Sequence, residues 1–314
     1  MEKSFLDGWM MLICNPVSGT GRGTERLATC RRLLDRAGIR YASTITRGRG
    51  DAARTARSAV TSGCSSVVVI GGDGTFFEAV NGIMPAEPYD GMIALVPLGL
   101  IQAGRGSDFG RSAGLPTDVE TTCARLLGGR TETIDLGHVT FTAFNGRLQA
   151  RYFANAAGLG FDAEVAQRAN SGPRVMGGTV TYLGSLLATL GSYGNKRVRL
   201  HIDGAPQWSD RANSVVIANG QFFGGGMKIA PEARLSDGMF SVVVLGNLGK
   251  FDLIRNLPKV YDGSHASHPK VRMLSGEQIE VTSLDRLLLQ ADGEVLGTAP
   301  ASFTVVPGAL RLIV

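Results

Sequence analysis

The chain has 314 residues, 44% apolar and 19% charged, with a formal net charge of +5. That length points to two domains with sizeable cores, and the 43 scattered glycines exclude a collagen-like or low-complexity chain. The modest basic excess suits an acidic partner; with no block of like charges and no RNA-binding aromatic motif, it argues against nucleic acid.

Trp9–Cys14 is an apolar run that stops at Asn15-Pro16, which predicts a buried first strand. The glycine-bearing loop to Gly23 is followed by no GK[ST], so it is not a P-loop. A helix is predicted from about Thr24 to Ala37, with Leu27, Leu33 and Leu34 on its core side and Gly38 closing it. Tyr41–Thr46 reads as a second strand and Asp51–Ser62 as a second helix. Val67–Ile70, four β-branched residues in a row, reads as a strand buried on both faces. Gly71, Gly72 and Gly74 break it, and Thr75 is the expected N-cap of a helix carrying Phe76, Phe77, Val80 and Ile83. Met92–Val96 is the expected fourth strand, ended by Pro97-Leu98-Gly99. Such alternation predicts right-handed βαβ units in an open parallel sheet, with ligands at the carboxyl ends of the strands.

The pattern changes after about Asp135. Short strands are expected at Arg151–Ala157, Val198–Ile202, Ser214–Ala218, Phe240–Leu245, Val271–Leu274, Gln278–Ser283, Arg286–Gln290, Ser302–Val306 and Leu310–Val314. Turns such as Asp203-Gly204 and Asp237-Gly238 separate several of them. Helices interrupt at about Asp162–Arg168, Thr179–Leu190 and Phe251–Val260. The predicted architecture is α/β + β: an N-terminal open parallel α/β nucleotide-binding domain over 1–135, and a C-terminal antiparallel β-sandwich over 136–314. The last strand is free to return to the first domain. The stripe Tyr182, Leu183, Leu186, Leu187, Leu190 is either core or the cover of a lipid groove.

The stretch Gly71-Gly72-Asp73-Gly74-Thr75 carries the chemistry. A buried strand, a glycine turn and a helix start aim free N–H groups and a positive helix end at one spot, which makes an anion site. Asp73 would repel phosphate there unless a cation or a proton intervenes, so the residues imply a metal–nucleotide complex. The pentad resembles the nucleotide signature shared by diacylglycerol kinase-like lipid kinases, sphingosine and ceramide kinases, and NAD kinases. The stretch around it runs on to Glu78.

Further motifs extend the resemblance over nearly the whole chain. Asn15-Pro16-x-Ser18-Gly19 is similar to the NPxSG signature of this superfamily, which implies phosphate held by Gly19 and neighbouring N–H groups. Thr46 resembles its second-strand threonine near the nucleotide. Pro97-Leu98-Gly99…Ser107-Asp108-Phe109-Gly110-Arg111 looks like the block P-x-G-T-x-N-D-F-A-R, with Leu100–Gly104 as about five extra residues and Ser107 in place of Asn. The resemblance carries Asp108 over as a site acid. Asn155-Ala156-Ala157-Gly158-Leu159-Gly160-Phe161-Asp162 is similar to N-x-x-G-x-G-F-D. Leu235-Ser236-Asp237-Gly238-Met239 matches the stretch that in bacterial members binds a structural magnesium, which implies Asp237 with the carbonyls of Arg234 and Met239. Asp292-Gly293-Glu294 matches the late D-G-E. It implies Glu294 as the acceptor of the hydroxyl proton, with Asp292 beside it.

The four cysteines, Cys14, Cys30, Cys64 and Cys123, form no CxxC pair and suggest thiols in a reducing compartment. The histidines (His138, His201, His265, His268) show no metal spacing and read as structural or exposed. No signal peptide and no membrane-length apolar run are visible, so a cytoplasmic protein, peripheral at the inner membrane face, is expected. The resemblance implies an enzyme dependent on ATP and Mg²⁺ that phosphorylates a lipid hydroxyl such as that of diacylglycerol, its site in the interdomain cleft, and it leaves a homodimer open. The rivals are an NAD kinase-like enzyme and a nucleotide- or lipid-binding protein disabled by the extra residues.

Overall fold

The computed structural model describes residues 5–19, 21–85, 96–104, 107–171 and 178–314, with backbone alone for 178–183. The chain divides into two compact units, Met1–Asp135 with Pro307–Val314, and Leu136–Val306.

In the first unit the elements run β1 (Trp9–Cys14), α1 (Arg22–Arg36), β2 (Arg40–Ile45), α2 (Asp51–Thr61), β3 (Ser66–Gly71), α3 (Asp73–Ile83), β4 (Leu98–Gln102), α4 (Asp108–Ser112) and α5 (Val119–Gly128). The strands β2, β1, β3 and β4 pair in that order, all parallel. All six residues of β3 are buried, as a strand covered on both faces must be. Met10, Leu12, Val68, Ile70 and Ile101 meet Leu27, Cys30 and Leu34 of α1 and Cys123 and Leu126 of α5 in one core. All four cysteines are free and buried.

Two readings of this unit change. Gly72, not Thr75, is the N-cap of α3; Thr75 lies inside the helix and is buried. The expected strand Met92–Val96 falls, apart from Val96, outside the described residues. The strand that is described beside β3 is Leu98–Gln102, every residue buried, with Val68 opposite Gly99 and Gly71 opposite Gln102. Of the residues that read as a turn and an insertion, Leu98–Gln102 are therefore core strand. Gly99 sits there because a Cβ would press on Leu126, Val68 and Ile313 at 3.0–3.4 Å; the close packing, not a turn, asks for glycine.

The second unit is built of antiparallel strands. The long β5 (Thr131–Ala143) enters it and pairs with β6 (Leu148–Phe153); then follow β7 (Ala156–Gly160), α6 (Phe161–Ser171), α7 (Gly178–Ser192), β8 (Lys196–Ile202), β9 (Ala205–Ala212), β10 (Ser214–Ala218), β11 (Phe240–Leu245), α8 (Lys250–Asp262), β12 (Val271–Gly276), β13 (Gln278–Ser283), β14 (Leu288–Ala291) and β15 (Glu294–Ile313). One layer runs β12-β11-β10-β7-β14-β15, and β13, β8 and β9 continue from β15 in the other. Phe153 packs between Phe240 and Phe303 at its core, with centroids 5.7 and 6.2 Å away.

The expected strand Arg151–Ala157 is two strands, broken at Ala154-Asn155. The two expected last strands are the single β15, and β5 and β9 were not anticipated. Of the leucine stripe, Leu186 and Leu190 pack on Phe161 and Val165 as core, Leu187 is exposed, and the side chains of Tyr182 and Leu183 lie outside the described residues. His138 and His265 are buried, and His265 Nε2 lies 3.0 Å from the Ile229 carbonyl.

Candidate active site

In the first unit the loops leaving β1, β2, β3 and β4 are tied side by side at the carboxyl edge. Asn15 N–H donates to the Ile70 carbonyl at 2.9 Å, Thr46 N–H to Cys14 at 2.8 Å, and Ala103 N–H to Gly71 at 2.8 Å. Asn15 Nδ2 also donates to Thr75 Oγ1 at 3.0 Å, joining the first motif to the glycine turn, while Asn15 Oδ1 accepts the Val17 N–H. Pro16 and Ser18 sit half-buried in this loop, and the Ser18 N–H turns back to the Asn15 carbonyl at 3.3 Å. Gly19 has φ +60°, and a Cβ there would lie 1.8 Å from the Ala103 carbonyl oxygen; no other residue fits. Gly72 and Gly104 meet backbone to backbone, since a Cβ on Gly104 would stand 3.1 Å from Gly72 Cα.

Asp73 is bound by two main-chain donors. Its Oδ2 accepts the Asp108 N–H at 3.0 Å and its Oδ1 the Phe109 N–H at 3.4 Å, so it ties down the start of α4. Phe76 of α3 stacks on Phe109 of α4 with ring centroids 4.4 Å apart. Burial pushes the Asp73 carboxyl above its ordinary pKa, against the two N–H donors and the charge of Arg111, which pull it down. Asp108 is buried at the same helix start. Glu78 is likewise committed: Oε1 accepts the Gly50 N–H at 2.8 Å and Oε2 the Ala52 N–H at 3.1 Å, capping α2. Its side chain thus serves the start of α2.

With β4 placed, the third motif needs no insertion. Counted from Gln102, the run Gln102-Ala103-Gly104-Arg105-Gly106-Ser107-Asp108-Phe109-Gly110-Arg111 keeps the ten-residue spacing of P-x-G-T-x-N-D-F-A-R, with Gln102 for Pro, Arg105 for Thr and Ser107 for Asn. Arg105 and Gly106 lie outside the described residues. Ser107 takes φ +42°, Gln102 Nε2 donates to the Leu115 and Pro116 carbonyls, and Gly110 leaves room for the Gln102 side chain.

Behind Gly104 and Ser107 opens a cavity of about 760 Å³ that Arg22, Arg26 and Arg111 line. Arg22 Nε donates to the Gly19 carbonyl at 3.3 Å, and Arg26 is held by the carbonyls of Gln102 and Thr117. Burial lowers the Arg26 pKa. The sequence reading missed these cations; the signal was Arg22 and Arg26, one turn apart at the start of α1, directly after the glycine loop.

In the second unit Asp292-Gly293 forms the turn between β14 and β15, with φ +46° and +84°. The Asp292 carboxylate accepts three backbone N–H groups: Ala154 on Oδ2 at 2.8 Å, and Asn155 and Ala156 on Oδ1 at 3.0 Å each. This is why β6 and β7 break at Ala154-Asn155. Asn155 Nδ2 continues to the Phe222 carbonyl at 2.6 Å, and Asn219 Nδ2 to that of Ala154 at 2.9 Å. Asp292 thus anchors the turn. Glu294 opens β15, half-buried, immediately after the turn.

Gln290 links this turn to Asp162: its Oε1 accepts the Gly293 N–H at 2.9 Å and its Nε2 donates to Asp162 Oδ2 at 3.1 Å. A Cβ on Gly158 would collide with that oxygen at 1.8 Å, which accounts for the glycine. Asp162 Oδ1 and Asn213 Oδ1 are buried without a partner. Both residues border an apolar cavity of about 80 Å³ walled by Phe161, Leu186, Leu253 and Leu257. Burial pushes the Asp162 pKa up to about 6, although Gln290 and Ser214 oppose the shift.

Asp237 is exposed in a turn closed by Gly238 at φ +73°, and its Oδ1 accepts the Met239 N–H at 3.2 Å. Arg234 and Met239 flank it, both exposed. Among the described residues no three His, Cys, Asp or Glu side chains cluster as a metal site. A cation at Asp237 would draw on carbonyls and water, an all-oxygen set that fits hydrated Mg²⁺.

Comparison with known proteins agrees with this architecture. The family model for the diacylglycerol kinase catalytic domain matches residues 9–139, and that for the YegS C-terminal NAD kinase beta sandwich-like domain matches 155–314. The chain is 29% identical to a diacylglycerol kinase of Mycobacterium tuberculosis, over 98% of this chain and 95% of that protein. It is 28% identical to one of Staphylococcus carnosus, over 93% and 90%. Its fold is similar to the crystal structure of a diacylglycerol kinase from Bacillus anthracis (TM-score 0.72, 19% identity, 99% and 98% covered). It is also similar to an NAD kinase from Archaeoglobus fulgidus in complex with ATP (TM-score 0.54, 12% identity, 98% and 93% covered). Glycine turn, clasped third motif, D-G-E hairpin and both family matches converge: the chain belongs to the diacylglycerol kinase-like family and is a kinase, a phosphotransferase with an alcohol group as acceptor.

Proposed function

We infer that this kinase transfers the γ-phosphate of ATP–Mg²⁺ to a hydroxyl of a lipid such as diacylglycerol. The observation that carries the reading is the glycine turn of residues 71–75, locked to α4 by Asp73 beside the arginine-lined cavity. Main-chain N–H groups of Gly19 and the glycine turn, with Asn15, Pro16, Ser18, Thr46 and Thr75 shaping the loops, would receive the phosphates. Arg22 and Arg111 would offset their charge. Glu294 would take the proton of the acceptor hydroxyl as its oxygen bonds to the γ-phosphorus and ADP departs. Asp292 and Asp108 position the hairpin and the α4 loop. The Mg²⁺ that accompanies ATP is part of the substrate and supplies charge neutralisation; a further Mg²⁺ at Asp237, with the carbonyls of Arg234 and Met239, would brace the turn before β11. The apolar cavity under α7 and α8 would receive a short part of the lipid's apolar chain.

Of the extra residues on which the reading of a disabled binding protein rests, Leu100–Gln102 are core strand, which supports the kinase reading over it. The test is transfer of labelled γ-phosphate to diacylglycerol, monoacylglycerol, sphingosine, ceramide and phosphatidylglycerol in micelles, with NAD alongside. Labelled lipid made by the wild type and lost with Glu294→Gln is the expected result. Labelled NADP instead would overturn the lipid reading, and ATP binding without any labelled product would overturn turnover itself.

A further inference from the structure

The outer face of α8 has the wrong composition for water. The helix turns Leu253, Asn256, Leu257 and Val260 inward, where they border the apolar cavity of the second unit. The opposite face carries Phe251, 74% exposed, Ile254, 53% exposed, and Tyr261, 41% exposed. Pro258 lies on the same side, two turns beyond Phe251. A solvated helix face normally carries charges there instead. On the neighbouring α7, whose Leu186 and Leu190 belong to the cluster that Leu253 and Leu257 pack against, Leu187 is 52% exposed.

Cations outnumber acids on α8, with Lys250, Arg255 and Lys259 against Asp252 and Asp262. Arg255 and Lys259 are exposed and show no ion pair among the described residues. Of the two acids of α8, Asp252 pairs with Lys270 at 3.0 Å and accepts the Gly249 N–H, while Asp262 keeps its charge and accepts both the N–H and the hydroxyl of Ser264. Lys250 is bound to the Gly191 carbonyl at 2.6 Å, which fixes the start of α8 against the end of α7. Large apolar side chains flanked by unpaired cations on one helix face are the makings of an interfacial helix: the apolar groups enter the headgroup boundary and the cations meet anionic lipid. No described helix is long and apolar enough to cross a membrane, so this contact would lie on the surface plane.

We propose that the outer face of α8, through Phe251, Ile254, Arg255 and Lys259, docks this protein on a phospholipid bilayer bearing anionic headgroups. The inner face of the same helix walls the apolar cavity, so docking would bring that cavity to the source of acyl chains. The proposal takes its reason for a bilayer from the lipid-kinase reading, but the measurement below does not depend on activity.

The experiment is co-sedimentation of the full chain with vesicles of phosphatidylcholine alone, and of phosphatidylcholine with phosphatidylglycerol in equal parts. It compares the wild type, Phe251→Ser/Ile254→Ser, and Arg255→Gln/Lys259→Gln. Circular dichroism and light scattering on each variant check the fold and the oligomeric state. The wild type is expected to bind the anionic vesicles preferentially and to lose binding as salt rises. Removing the two cations should weaken binding on the order of 30-fold, at about fivefold per charge. Removing the two apolar side chains should weaken it at least about tenfold on both vesicle types. Folded variants that bind as the wild type does would overturn the proposal, as would equal binding to both vesicle types. So would a change of oligomeric state with vesicle binding intact, which would assign the face to a second copy of the chain. Vesicle binding without lipid phosphorylation would leave the docking surface standing and sink the kinase substrate reading, so the two failures are distinguishable.

Discussion

Asp73 reaches 35 residues along the chain to accept the backbone N–H of Asp108 at 3.0 Å. In the second unit Asp292 does the same work over 138 residues, accepting the Ala154 N–H at 2.8 Å. Each acid stands in a glycine turn where sequence suggests direct chemistry, and each spends its oxygens on main-chain donors. On the proposed function the acids would stand one step back from the reaction, holding the loops that would meet the substrates.

Asp292 and Glu294 should therefore separate in experiment. Asp292→Asn keeps one acceptor oxygen and deprives the break at Ala154–Ala156 of charge-assisted bonds, with an expected loss of about 2–4 kcal/mol of stability. Glu294→Gln should abolish phosphoryl transfer while lowering the urea midpoint less than Asp292→Asn does. Equal loss of stability in the two variants would remove the distinction.

Gly19 and Gly21 both have positive φ, +60° and +91°, but only Gly19 is pressed against another loop. Gly21→Ala should cost the backbone penalty alone, about 1–2 kcal/mol. Gly19→Ala must also displace the Ala103 carbonyl and should weaken ATP binding at least about tenfold beyond its effect on stability. Isothermal titration of ATP against both variants decides this; similar affinities would mean that the loop does not shape the nucleotide site.

Arg22 should act on phosphate charge and little else, since its bond to the Gly19 carbonyl is long and exposed. Arg22→Gln is expected to raise the KM for ATP roughly tenfold, with the largest effect at low salt and the thermal midpoint nearly unchanged. An unchanged KM at low salt would remove Arg22 from the proposed phosphate shell.

Asp162 has a pH signature with a definite sign. Its folded pKa is raised from 3.8 to about 6, so the folded chain holds a proton that the unfolded chain has released. Stability contributed by that proton is present below the unfolded value and is lost as pH rises towards 6, by as much as about 3 kcal/mol. Asp162→Asn, which keeps an acceptor for Gln290, should be the more stable protein at pH 7.5 and lose its advantage near pH 4. Parallel stability–pH curves for the two proteins would refute it.

The sequence by itself determined the parallel α/β half, the glycine turn after Ile70, the antiparallel half and the family. Strand and helix periodicities are local, and the Gly-Gly-Asp-Gly-Thr and Asp-Gly-Glu motifs are contiguous, so neither needs distant chain to be legible. Tertiary structure alone decided β4, because Pro97 and Gly99 read as breakers until Val68, Leu126 and Ile313 close around Gly99. It also decided the work of Asp73, Glu78 and Asp292, whose partners are N–H donors 26 to 138 residues away. A carboxylate's role is set by which donors reach it, and that is a property of the fold.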